Sequence, residues 1–444
     1  MAGVPAGRAG PAAVTTKSPA DVDRASKITI FTLATIVTQM IKRVPLPSLT
    51  TLVRVDALRG APTAPAVAHQ TSTRTTTIAR RRRQRRTARL VTALLLVATG
   101  SLVSPPASYA AGPKLTAMTR NLYHGTALDN AVGASNFADF VRTVSQDWAH
   151  VVAMDFPTRA RAIAAEILRA KPDVVGLQEV SLWRDQAVSD IVTGTTVPNA
   201  THVVYDFLAI VQAELTAGGT PYTAVSTSTN ADIEAPRLNS ASPNGFTDVR
   251  MTDRDVILAR TELADKFSGA ASGHYMHQFT VPSVVGPLTF TRGWASIDYR
   301  HDANRAVKIV GTHLETESGP AGATQVLQGE ELLGQVAGSP NAVVLADINS
   351  AADGSQTPTY ANLRKELDDA WLVKGRDPGL SCCMNELLDN QTSTAASRID
   401  VVLSKGALTA TSAALTGNSP FRQSPAPLWA SDHFGVVAQL EFRK

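Results

Sequence analysis

The chain has only two cysteines in 444 residues, Cys382 and Cys383, and they are adjacent. One disulfide at most can therefore form. A bridge between neighbours needs a strained ring, because ordinary disulfides want Cα atoms about 4.4–6.8 Å apart, and two free or packed thiols are the alternative. Nothing near the pair completes a four-ligand zinc set. There is no Gly-x-Ser-x-Gly elbow, which leaves little support for a serine esterase. No repeat of fixed period runs through the chain, and no Gly/Ser-rich or Pro-rich linker divides residues 111–444. The five tryptophans, Trp148, Trp183, Trp294, Trp371 and Trp429, are scattered, so no aromatic cluster marks a membrane-insertion loop.

Charge is unevenly spread. Residues 1–110 carry 16 Lys/Arg against 3 Asp/Glu; the chain totals of 42 and 38 leave 26 against 35 in residues 111–444, a net of −9. The overall pI of about 9.1 thus reflects the leader, while the remainder is acidic. That balance weighs against an avid, non-specific duplex binder, which gains its affinity by neutralising phosphates. A local basic patch is still compatible with it.

Within the leader, Arg80–Arg83, Arg85, Arg86 and Arg89 precede the apolar run Leu90–Val103, then Pro105-Pro106 and Ala107-Ser108-Tyr109-Ala110. A charged segment, an apolar segment too short to span a bilayer comfortably, and small residues before a cut after Ala110 describe a signal peptide over 78–110. The protein is accordingly expected to be secreted. Arg85-Arg86 loosely resembles a twin-arginine signal, with poorly fitting flanks. Residues 1–77 read as a disordered extension or an over-extended start, and the single domain is expected at 111–444, large for one core but feasible.

Apolar periodicity predicts strands at Lys114–Leu122, Val174–Leu177, Asp255–Ala259, Val307–Val310, Ala342–Leu345, Ile399–Leu403 and Gly435–Phe442. It predicts helices at Phe137–Val144, Arg159–Ala170, Phe207–Leu215 and Ala323–Val336. Lys171-Pro172-Asp173 stops the second helix, and Gly273–Tyr299 reads as antiparallel strands. This mixture points to a layered α/β architecture with two packed sheets and outer helices.

Six short motifs follow in order: Arg120-Asn121-Leu122, Leu177-Gln178-Glu179, Gly311-Thr312-His313-Leu314, Ala346-Asp347-Ile348-Asn349, Arg398-Ile399-Asp400 and Ser431-Asp432-His433. Most lie at strand ends, where one rim of a sandwich can gather them. They supply oxygen donors for a hard divalent cation and groups that polarise a phosphate and activate water. Glu179 is the first candidate ligand, with Asn121 and Asp432 as companions. Asp347 and Asn349 share one side of a short extended segment; one can accept a proton or orient water, the other hold phosphate. A histidine held by a carboxylate is fixed in tautomer and made more basic, which assigns His433–Asp400 to water activation. His313 is left to bind or protonate a phosphoryl oxygen. Arg254 is a candidate bidentate phosphate contact, or else pairs with Asp253 or Asp255. Tyr123 and His124 can line the same cleft.

This set resembles the endonuclease/exonuclease/phosphatase superfamily, the DNase-I-like fold, over essentially 114–444, and in particular its exported bacterial members. Two departures, Ala346 for Gly and Ile348 for Phe, leave the polar side chains in place. The resemblance implies a four-layer α/β sandwich, with two packed, mostly antiparallel β-sheets flanked by helices. It also implies Mg²⁺- or Mn²⁺-dependent attack by water on a phosphate ester. The expected partner is a phosphoester substrate, whether nucleic acid, a phospholipid head group as in sphingomyelin, or a small phosphorylated metabolite. No protein partner is evident, and a monomer is expected. The competing non-enzyme reading is an inactive binding module on the same fold.

Overall fold

The computed structural model describes residues 112–443 apart from 196; the leader, its cleavage point and residues 1–77 lie outside the described residues. The strands are β1 (Lys114–Asn121), β2 (Val174–Gln178), β3 (Leu182–Gln186), β4 (His202–Asp206), β5 (Tyr222–Leu238), β6 (Phe246–Arg260), β7 (Phe267–His274), β8 (Phe279–Val281), β9 (Leu288–Phe290), β10 (Gly293–Asp302), β11 (Arg305–His313), β12 (Ala342–Asp347), β13 (Asp368–Asp369), β14 (Asp400–Lys405), β15 (Leu408–Thr416) and β16 (Gly435–Phe442). The longer helices are α1 (Phe137–Ala153), α2 (Phe156–Ala170), α3 (Phe207–Ala217) and α4 (Gly319–Ala337).

An eight-stranded sheet runs β15-β16-β1-β2-β6-β3-β4, with β5 also paired to β6; a six-stranded sheet runs β13-β14-β12-β11-β10-β7. Each has one parallel pair, β1/β2 and β11/β12, among antiparallel neighbours. Parallel neighbours need a crossover; α1 and α2 supply it for the first pair and α4 for the second. The inner faces meet through Leu115, Val174 and Ile257 on one side and Ile297, Ile309, Val343, Leu345 and Val402 on the other. Outside the first sheet, Met118 and Val175 pack on Phe156, Ile163, Ile167 and Val211. Outside the second, Val310, Val344 and Leu403 pack on Leu332 and Val336. These are the four layers expected from the sequence.

The sheets come into close contact just behind the ends of β2 and β12. A Cβ on Gly176 would lie 2.6 Å from the Cβ of Leu345, so glycine at this point lets the two parallel pairs approach. Helix α2 begins where the Asp155 side chain accepts from Thr158 N and ends at left-handed Lys171, just before Pro172. That is the stop read from sequence.

The long hairpin β5–β6, paired from Tyr222↔Arg260 to Leu238↔Phe246, extends well beyond the expected Asp255–Ala259. Its Ser-, Thr- and Asp-rich strands lack a long apolar run. They are held instead by pairing to each other and by α1 and the second sheet alongside.

Candidate active site

Antiparallel order decides what meets at one rim. The C-terminal ends of β1, β2, β11 and β12 lie beside the N-terminal starts of β14, β16 and β10. Asn121 lies level with Gln178, His313 with Asp347, and Asp347 with Asp400. The ladders continue one bond further on each side: Leu122 N donates to Gln178 O and Leu314 N to Asp347 O, both at 3.0 Å. The chain then turns sharply. Tyr123, Glu179 and Asn349 all have positive φ (62°, 56° and 48°), a conformation uncommon outside glycine and frequent at functional turns.

Glu179 Oε1 accepts from Asn121 Nδ2 at 2.9 Å and Oε2 from the His124 amide at 2.8 Å. Burial would raise this carboxyl, but the rings of His124, His313 and His433 and the Asn121 amide more than offset it, leaving its pKa lowered to about 2. Asn121 Nδ2 also donates to Asp347 Oδ2 at 3.1 Å, while its Oδ1 accepts from Tyr123 N. The amide thus presents nitrogen to the two carboxylates; a half-turn about its terminal bond would present oxygen instead.

Asp347 is fully buried. Burial pushes its carboxyl up to about 7, against the pull of His433 and with the repulsion of Asp400. Its Oδ1 accepts from Asn349 N at 3.0 Å. His433 Nδ1 lies 2.9 Å from Asp400 Oδ2 and 3.5 Å from Asp347 Oδ2. Burial alone would lower the His433 ring, yet Asp400, Asp347 and Asp432 hold it well above the ordinary imidazole value. Asp432 is driven up to about 6, by burial first and then, among the groups that raise it, by Glu179.

His313 lies between two nitrogen donors. Arg292 Nη1 donates to its Nδ1 at 3.0 Å, and Asn349 Nδ2 stands 3.0 Å from its Nε2. Burial and the Arg292 guanidinium push the His313 pKa well below the usual value. A guanidinium can only donate, so Nδ1 is the acceptor and the ring proton belongs on Nε2; Nε2–H and the Asn349 amide nitrogen then cannot bond each other, and that nitrogen donates instead to Leu314 O at 3.1 Å.

A cleft of about 330 Å³ is lined by Glu179, His313, Asp347, Asn349, Asp432 and His433, together with Tyr123, His124 and Arg292. Asn121 and Asp400 lie buried immediately beneath and reach it through their partners. Arg254 is the exception. Its Nε donates to Val180 O at 2.8 Å and its Nη2 to Asp206 Oδ1 at 2.6 Å, so it clamps the turn after Glu179 rather than facing the cleft. Its partner is Asp206, not Asp253 or Asp255. Arg292 occupies the position foreseen for Arg254: it borders the cleft, and its charge is sustained by Glu315, Asp253, Asp255 and Glu179 against the cost of burial. One faint sign of it is legible in the residues, a basic side chain just before the strand opposite Thr312-His313.

Two further arginines build the rim unseen. Fully buried Arg120 donates to both oxygens of Glu166 (3.0 and 3.1 Å) and to the carbonyl of His433. Fully buried Arg159, on α2, donates to the carbonyls of Met154, Leu122, Tyr123 and Ala430 at 2.7–3.1 Å. It thereby ties the turn after Asn121 to the segment that carries Asp432. Cys382 and Cys383 are joined by a disulfide next to this segment, where Met384 N donates to Asp432 O.

The donor set fits a hard divalent cation. Glu179 and Asp432 are oxygen donors lining one cleft, Asp432 is raised by burial and by its neighbour's charge, and a cation between them would relieve that repulsion. The groups of three or more closely placed His, Cys, Asp and Glu found among the described residues are Asp347–Asp400–His433, Cys382–Cys383–His433 and Asp190–Glu234–Asp248. The first is internally hydrogen-bonded and reads as a proton-handling set.

With this geometry in place, the comparisons give the class. The model of the Endonuclease/Exonuclease/phosphatase family matches residues 121–433, and the chain belongs to that family, whose fold supports phosphoester hydrolysis. Among solved structures, the chain is similar to an endonuclease/exonuclease/phosphatase from Beutenbergia cavernae (21% identity, 74% of this chain and 72% of that one, TM-score 0.43). It is also similar to a family protein from Leptotrichia buccalis (15%, 74% and 100%, TM-score 0.44) and to truncated Caenorhabditis elegans TDP2 (15%, 74% and 97%, TM-score 0.42). A search of curated proteins returned no match.

Proposed function

We propose that the chain is a secreted, monomeric phosphoester hydrolase that depends on Mg²⁺ or Mn²⁺ and uses the His433–Asp400 pair to activate water. The observation that carries this reading is the meeting, in one cleft, of a carboxylate pair, Glu179 and Asp432, with a carboxylate-held imidazole, His433. Glu179 and Asp432, joined by Asn121 once its amide is turned, would hold the cation, which would supply positive charge against that developing on the phosphate.

The remaining work falls to side chains. Asp400 fixes the His433 tautomer through Nδ1 and, once the ring has given up the extra proton that Asp400, Asp347 and Asp432 favour, leaves Nε2 to accept one from water. Asp347, one layer below, adds negative charge that keeps the resulting imidazolium stable and orients Asn349 through its backbone amide. Asn349 Nδ2, the Nε2–H of neutral His313 and the Arg292 guanidinium form a donor set for phosphoryl oxygens. His313 therefore acts in this reading as a hydrogen-bond donor and not as a proton source. Phosphoryl transfer asks chiefly for positioning and charge neutralisation, and the cleft supplies both.

The test is hydrolysis of bis-p-nitrophenyl phosphate, plasmid DNA, RNA, sphingomyelin and sugar phosphates with Mg²⁺, Mn²⁺ or EDTA. Turnover of at least one substrate, lost in EDTA and restored by added metal, is expected. Turnover unaffected by EDTA would remove the metal from the mechanism. The basic and apolar segments at 78–110 support export, to be checked by N-terminal sequencing of the protein recovered outside the cell.

A further inference from the structure

A second cavity, of about 80 Å³, opens beside the cleft and is almost wholly apolar. Its walls include Phe140, Trp148, Trp183, Met251, Leu288 and Phe290, with the two tryptophans edge to face at 5.8 Å. Thr126, Leu128, Val132 and Phe290 line both spaces. The hairpin β8–β9 forms the partition, giving Phe279 and Val281 to the cleft, Leu288 to the cavity and Phe290 to both.

Protein interiors are ordinarily close-packed, and an apolar void gives water too few partners to be a solvent site. The few polar groups in the wall are in part engaged with neighbours: Thr126 Oγ1 donates to Asp147 Oδ1 at 3.2 Å, the same oxygen accepts from nearby Asn130 Nδ2 at 3.3 Å, and Trp183 Nε1 donates to His124 O at 3.3 Å. A nucleobase placed here would lose hydration at its hydrogen-bonding edge with little in exchange. A hydrocarbon would lose nothing and gain burial.

We infer that this cavity is the subsite for an alkyl chain on the substrate, so that the reaction at the cleft acts on phosphoesters carrying a lipid-like substituent. The inference rests on the phosphoester hydrolase reading and narrows it. The phosphate would sit against His313, Asn349 and Arg292, with the chain passing beneath Phe290 toward Trp148 and Trp183. Each methylene that enters should improve binding by about fourfold until the cavity is full.

The experiment compares p-nitrophenyl methyl phosphate, p-nitrophenyl hexyl phosphate and thymidine p-nitrophenyl phosphate on the full chain with metal, below micelle-forming concentrations. All three share one leaving group. The hexyl ester should exceed the methyl ester in kcat/KM by more than about tenfold, chiefly through KM. Ala235→Leu or Val144→Phe, which fill the cavity from walls remote from the reacting groups, should remove that advantage and leave the methyl ester unchanged. In parallel, tryptophan fluorescence should report hexyl phosphate binding more tightly than methyl phosphate, and Trp148→Phe should diminish the signal. Equal rates for the methyl and hexyl esters, or a preference for the thymidine ester, would overturn the alkyl subsite while leaving the hydrolase intact. Tighter binding of hexyl phosphate with no turnover of any ester would retain the subsite and count against the hydrolase reading instead.

Discussion

The two sheets use one local device for two chemistries. In each, a parallel pair of strands ends at the same rim, the next backbone amide extends the ladder, and a non-glycine residue turns back with positive φ: Glu179 beyond β2 and Asn349 beyond β12. The first sheet delivers Asn121, Glu179 and, at the start of β16, Asp432. The second delivers His313, Asp347, Asn349 and Asp400. Oxygen donors suited to a cation come from one sheet, and most groups suited to phosphate and proton transfer come from the other. His433 breaks the division, since the segment leading into β16 carries it across to Asp400 of the second sheet. The correspondence lies in backbone placement alone, as no repeat is visible in the sequence. The layering fixes where a side chain can reach the cleft, and residue identity decides what it does there.

The sharpest way to break this comparison is at His433, the group that joins the sheets. Its replacement by alanine should lower kcat by about 10²–10⁴ and leave the metal concentration needed for residual activity nearly unchanged. If His433→Ala instead raised that requirement as far as Glu179→Ala did, the division between the two sheets would be wrong. Next in size is Asn349→Ala, a donor of the second sheet alone, which should cost about 10²–10³ in kcat. Asn349→Asp, which reverses the sign of the group facing phosphate, should be no better; kcat and KM measured separately on one substrate check both.

The rim also tests the frame that holds it. Among the described residues no carboxylate lies within hydrogen-bond reach of Arg159; its guanidinium is used on four carbonyls from three segments, and burial lowers its pKa to about 10. Arg159→Met keeps the stem and leaves those acceptors without a donor, which should cost about 3 kcal/mol or more in unfolding free energy, read from the urea midpoint. Arg120 should behave similarly in the first sheet, and in the second buried Arg398 has the corresponding place, donating to Pro378 O, the Asp369 carboxylate and Tyr360 Oη.

Much of this was legible in the residues. Strand ends with Asn, Glu, His or Asp after short apolar runs predicted β1, β2, β11 and β12 to within a few residues, and β16 as observed. The runs in β1, β2, β11 and β12 are buried on both faces toward their C-terminal ends, and β16 alternates buried with half-buried positions, so burial and sequence say the same thing. β5 and β15 escaped because Tyr222–Leu238 and Leu408–Thr416 are small, polar and half exposed, and their stability comes from pairing partners distant in sequence. The polar residues lining the cleft were largely visible from motif order. Arg292, Arg120 and Arg159 were not, because each acts through carbonyls or carboxylates brought to it only by the fold, and an arginine beside a strand has many ordinary uses. Adjacency to a strand points to Arg254, and Arg292 satisfies the same criterion.

That last pair gives the smallest effect and the finest discrimination. Arg254 and Arg292 lie on opposite sheets, Arg254 in the middle of β6 and Arg292 immediately before β10. Arg254 meets a partly exposed Asp206 and the carbonyl of Val180, and a pair of that kind contributes about 0.2–1 kcal/mol. Arg254→Ala should therefore change kcat/KM by no more than about threefold, because the turn that carries Glu179 is held independently by Asn121 and His124. Arg292→Ala removes the donor on His313 Nδ1 and a cation at the cleft, and its loss should be larger by at least about tenfold. It should also lift the His313 pKa, since the Arg292 guanidinium, the largest influence lowering it after burial, disappears; histidine ring resonances followed through a pH titration of the two variants would show the shift in one and not the other. Equal rate losses, with no His313 shift in either, would mean that the second sheet's arginine positions the cleft no more directly than the first sheet's does.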